Sequence, residues 1–71
     1  MLKYHINIFY SEDDEGYIAT VPDLQGCSAF GETPEEALKE VLTAQELWLE
    51  AVADSGWEIP EPKYKPISYQ S

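Results

Sequence analysis

From residue 2 to residue 10 the chain alternates, with Leu2, Tyr4, Ile6, Ile8 and Tyr10 in one set of positions and Lys3, His5, Asn7 and Phe9 in the other. A period of two puts each set on its own face of an extended backbone, so the segment predicts a half-buried strand. Residues 11–16 (Ser11, Glu12, Asp13, Asp14, Glu15, Gly16) break the pattern with charge and end on glycine. Tyr17, Ile18, Ala19, Thr20 and Val21 then resume a β-rich run, and the two runs predict an antiparallel hairpin. Pro22 cannot donate to a ladder and stops the second strand. Residues 23–26 have turn composition, and residues 27–30 between Gly26 and Gly31 predict a third strand or its edge.

The period then changes. Thr33 can cap a helix, Pro34 suits the first helical position, and Glu36 stands where a capping box places its acid, so a helix is expected to begin at Pro34. Leu38, Val41, Leu42, Gln45, Trp48, Leu49 and Val52 recur at spacings of three and four, flanked by Ala37, Ala44 and Ala51. That stripe predicts an amphipathic helix lying on the sheet, ended by Gly56. Pro60 and Pro62 keep the following segment extended, and residues 64–69 could add a short edge strand despite Pro66. The expected fold class is α+β: a three-stranded antiparallel sheet, one long helix packed on it, and a possible short fourth strand. Residues 1–62 form the domain in this reading, and residues 63–71 a tail or edge strand.

A chain of 71 residues allows one domain, and one this small buries only about 60% of the surface its unfolded form exposes. Marginal burial calls for outside support. The single Cys27 excludes an internal disulfide, and one histidine with one cysteine makes a dedicated zinc cage implausible. Self-association as a homodimer or homotetramer is the remaining expectation. The alternating start lacks the basic and apolar segments of a secretion signal, no apolar run is long enough for a membrane span, and an unpaired cysteine suits a reducing compartment. A cytoplasmic location is expected.

Charge sharpens the functional reading. Four Lys/Arg against fourteen Asp/Glu give a formal net charge of −10. Nucleic-acid binding depends on cations neutralising phosphates, so direct binding by this chain is not expected. Acidic surfaces commonly serve solubility; the more specific reading is a basic protein partner.

No catalytic or cofactor constellation emerges. His5 and Cys27 could in principle make a thiolate pair, yet no cation near Cys27 in the sequence would lower its pKa. Glu12, Asp13, Asp14 and Glu15 are contiguous and lack the alternating ligand spacing and distal glutamate of a calcium loop. The four glycines stand singly, without the pattern of a phosphate loop. No metal or cofactor is expected. For Trp48 and Trp57 core packing is the ordinary role, although tryptophan is also favoured at interfaces, and Trp57 beyond the helix end is the better contact candidate. The expected partner-binding residues are Glu12, Asp13, Asp14, Glu15 and Trp57.

Three segments carry a resemblance: GYIATVPDLQGC at residues 16–27, GETPEEAL at residues 31–38, and Gly56 followed by IPEP at residues 59–62. In order and spacing they resemble the HicB antitoxin family, over roughly residues 4–62. The resemblance implies a truncated ribonuclease-H-like layer of three antiparallel strands, a helix and a returning strand. It further implies a bacterial or archaeal protein that neutralises a small basic HicA-type mRNA-cleaving toxin by direct contact. It does not imply nuclease activity: two-metal catalysis of that fold needs an acid within the first strand, and residues 2–10 contain none. Full-length members usually continue into a DNA-binding region, whereas only nine residues follow Pro62 here, so repression of its own operon is not expected. The alternative is a stand-alone homo-oligomeric regulatory or structural protein without a toxin.

Overall fold

Residues 3–65 are described by the structure, a computed structural model. Strands β1 (Asn7–Ser11), β2 (Gly16–Thr20) and β3 (Ser28–Gly31) are followed by helix α1 (Pro34–Asp54). The strands form one antiparallel sheet in the order β1-β2-β3. The α+β expectation of three strands and one long helix is met. The first strand is shorter than the alternation suggested and begins at Asn7, since residues 3–6 make no ladder.

Register sorts the side chains. Ile8 pairs with Ala19 and Ala19 with Ala29; Tyr10 pairs with Tyr17 and Tyr17 with Gly31. These rows face the helix. The core joins Ala19, Val21, Leu24 and Cys27 to Ala37 and Val41, with Tyr4 closing it from the chain start. At Gly31 the first turn of the helix sits directly on the strand: a Cβ there would stand 2.2 Å from the Ala37 amide nitrogen. Only glycine permits that approach.

The helix begins as expected. Thr33 is extended (φ −129°), Pro34 opens the helix, and the Thr33 hydroxyl accepts from the Glu36 N–H at 3.1 Å. Its buried stripe is rotated from the expected one. Ala37 and Val41 are fully buried and Ala44, Gln45, Trp48, Leu49 and Val52 half-buried, whereas Leu38 and Leu42 remain exposed. The cause is geometric: α1 rests mainly on β3 and β2 and only marginally on β1, and alanines let it come close. Ile8 and Tyr10, on the strand that the helix leaves uncovered, are correspondingly exposed.

Between β2 and β3 the chain makes two successive turns. Leu24 N–H donates to the Val21 carbonyl and Cys27 N–H to the Leu24 carbonyl, while Val21 N–H donates back to the Cys27 carbonyl. The loop drives Val21, Leu24 and Cys27 into the core. Tyr64 and Lys65 are not in a strand, and the rest of the proposed edge strand lies outside the described residues.

Candidate partner-binding surfaces

The four contiguous acids occupy the β1–β2 turn. Ser11 pairs with Gly16, which leaves Glu12, Asp13, Asp14 and Glu15 as the connection, all exposed. Glu15 N–H donates to the Glu12 carbonyl (3.3 Å) and the Ser11 hydroxyl to Asp14 Oδ2 (2.9 Å). Glu15 takes a left-handed conformation (φ 53°), which is uncommon for residues other than glycine, asparagine or aspartate. The turn therefore presents several carboxylates on one exposed, hydrogen-bonded loop.

Trp57 is placed by the way the helix ends. Gly56 adopts φ 75°, its N–H donates to the Ala53 carbonyl, and the Trp57 N–H donates to the Val52 carbonyl. This is a Schellman termination, which commonly brings the residue after glycine against the side chain whose carbonyl it caps. Trp57 and Val52 accordingly line one open cavity of about 390 Å³ with Gln25, Trp48, Ala51 and Ser55. Trp57 is 74% exposed. Trp48 is held differently, its indole N–H donating to the Gln25 carbonyl at 3.0 Å and so tying the helix to the β2–β3 loop.

The acidic turn and Trp57 stand at opposite ends of the molecule. Strand β3 runs from the Cys27 loop towards the acidic turn, and α1, at about 1.5 Å per residue, then returns roughly 30 Å to the loop end. The structure does not bring the two groups into one patch.

The segment beyond Trp57 is fastened to the same loop. Asp23 accepts from the N–H groups of Lys63 and Tyr64, and the Tyr4 hydroxyl donates to the Pro60 carbonyl. Burial, with the Asp23 carboxylate adding to it, raises the pKa of Tyr4. His5 donates to Asn7 Oδ1 at 2.7 Å and packs at a tilt against Tyr64, with ring centroids 4.9 Å apart. Cys27 is buried in the core, and burial raises its pKa. Both side chains thus have packing roles, and a thiolate is disfavoured at Cys27. Among the described residues no group of three or more His, Cys, Asp or Glu converges to hold a metal ion. No helix among them is long and apolar enough to cross a membrane.

One surface escaped the sequence reading. On the sheet face away from the helix, Phe9 pairs with Ile18 and Ile18 with Phe30, making an apolar row across all three strands. Phe9 is 50% and Phe30 44% exposed, and the Phe30 ring lies over Gly16. The available signal was an apolar Phe9 among the polar positions of an alternating strand.

These features define a small α+β module whose distinctive surfaces are an acidic turn, an aromatic helix end and an open apolar sheet face. The chain belongs to the family described as HicB-like antitoxin of bacterial toxin–antitoxin systems, whose profile matches residues 4–70. It is also similar to two Synechocystis proteins described only as UPF0150 proteins. One is 38% identical over 53 residues, 75% of this chain and 73% of that protein, and the other 37% identical over 59 residues, 80% and 75%. A Helicobacter pylori UPF0150 protein is 46% identical over 44 residues, covering 62% of this chain and 61% of the relative. No solved structure gives a significant match.

Proposed function

We propose that this chain neutralises a small basic mRNA-cleaving toxin of the HicA type by direct protein contact, acting by binding and not by catalysis. Membership of an antitoxin family across residues 4–70 carries the reading. The net charge of −10 supports it, since complementary fields speed encounter with a cationic protein and disfavour nucleic acid. In this reading Glu12, Asp13, Asp14 and Glu15 steer the toxin and Trp57 offers an aromatic anchor at the other end of α1. The order of three antiparallel strands and a helix is compatible with the truncated ribonuclease-H-like layer that the resemblance implies.

Co-expression with a HicA-type toxin tests this. Growth arrest should be relieved and the two chains should purify together; persisting arrest without co-purification would exclude it. A second reading, a homo-oligomeric regulatory or structural protein without a toxin, is favoured by the row in which exposed Phe9 and Phe30 flank half-buried Ile18. It expects assembly in the absence of any toxin and no rescue.

A further inference from the structure

We propose that the open face of the sheet is where two copies of this chain associate, with Ile18 at the two-fold axis. The inference locates the self-association contained in the second reading and does not depend on a toxin.

Three cross-strand rows form this face: Phe9, Ile18 and Phe30 at its centre, Asn7, Thr20 and Ser28 on one side, and Ser11 with Gly16 on the other, next to the acidic turn. None of these eight carries a charge, although the chain has fourteen acids and a net charge of −10. A cationic partner would gain nothing electrostatic from contact with these side chains. A second copy of this strongly acidic molecule is least opposed here, because an uncharged patch is where two such molecules meet without bringing carboxylates directly together.

The row is also suited to a symmetric contact. A two-fold interface needs one surface to complement itself. With the axis lying along β2 between two facing sheets, Ile18 meets Ile18, and Phe9 of each protomer lies opposite Phe30 of its partner. A large aromatic ring thus flanks the smaller aliphatic centre on both sides, at the roughly 10 Å spacing of stacked sheets.

Size sets the strength. Two five-residue strands and one of four make a face of about 14 by about 17 Å, well short of the about 800 Å² per partner of a stable complex. The dimer should therefore be weak and reversible, with a dissociation constant on the order of 100 µM. Because both copies are acidic, added salt should strengthen it. A complex with a basic toxin should respond to salt in the opposite direction, so failure of one proposal is distinguishable from failure of the other.

Sedimentation equilibrium of the full chain from about 10 µM to about 1 mM, at low and high salt, tests the proposal. The expected result is a dimer that grows with concentration and with salt. Phe9→Lys should weaken it by about tenfold or more, as removal of a central aromatic contact does. Ile18→Thr, which keeps a β-branched residue in the strand, should weaken it in the same direction with an unchanged circular dichroism spectrum. Trp57→Lys should leave it intact. A chain that stays monomeric throughout would overturn the proposal. So would a dimer that survives both open-face substitutions, or one abolished by Trp57→Lys alone. If the chain stays monomeric and Phe9→Lys abolishes its binding to a HicA-type toxin, the face belongs to that protein and the proposal falls.

Discussion

Thr33 satisfies one of the helix-start amides that would otherwise lack an acceptor, through its 3.1 Å bond from Glu36. Thr33→Ala should destabilise the fold by about 0.5–2 kcal/mol, measured as a lower urea midpoint. Two buried groups make a prediction about pH. The pKa values of Cys27 and Tyr4 are raised, chiefly by burial, so the fold prefers both in their neutral, protonated forms. A folded-state pKa above the unfolded one contributes stability that is complete at lower pH and is lost as pH rises through the folded value. Stability should therefore hold through neutral pH and decline above about 8.5, where an unfolded thiol ionises, and further above about 10, where an unfolded tyrosine does. Cys27→Ala should flatten the first part of that decline and leave the second. A urea midpoint that falls identically in both proteins across the first interval would refute the assignment to Cys27.

At the scale of the elements, the contact between β3 and α1 decides how the helix sits. Gly31 brings strand backbone against the Glu36 and Ala37 backbone, with no room for a methyl group. Gly31→Ala should push the helix off the sheet and cost about 2–3 kcal/mol or more, enough to unfold much of a marginal small domain at equilibrium. Thermal melting should show it, and an unchanged midpoint would mean that the helix sits farther from β3. The same close approach accounts for the rotated stripe: a helix held against β3 and β2 buries Ala37 and Val41 and leaves Leu38 and Leu42 in solvent.

Over the whole molecule, three distinctive surfaces lie apart. The acids at residues 12–15 form one exposed end of the sheet, the aromatic cavity with Trp57 lies at the opposite end, and the uncharged row of Phe9, Ile18 and Phe30 spans the open face. The C-terminal turn of α1 holds no basic residue, although a cation there would favour the helix dipole. If the proposed toxin is steered by this field, its association rate should fall between low and high salt, because screening sets in beyond about 10 Å at 0.1 M. Changing Glu12, Asp13, Asp14 and Glu15 together to the corresponding amides should lower the association rate more than it raises the dissociation rate. Stopped-flow kinetics indifferent to both changes would remove the acidic turn from the interface and leave the Trp57 end as the candidate.

Signals carried by neighbouring residues were sufficient for much of this. The Thr33-Pro34 start, the Gly56 stop, the charged turn after the first strand and the net charge depend on local backbone preference or on composition, and the sequence by itself determined them. So did the three segments on which the family resemblance rests, although the sequence does not reveal that residues 21–27 lock the β2–β3 connection through Val21, Leu24 and Cys27. Only the tertiary structure decided which side chains share a surface. Phe9, Ile18 and Phe30 become neighbours through strand register, the helix takes its rotation from a backbone contact at Gly31, and Asp23 meets the Lys63 and Tyr64 amides some forty residues away. Hydrophobic periodicity states that a face is buried but not against what. Partners distant in the chain are selected by packing of the whole, which no local window contains.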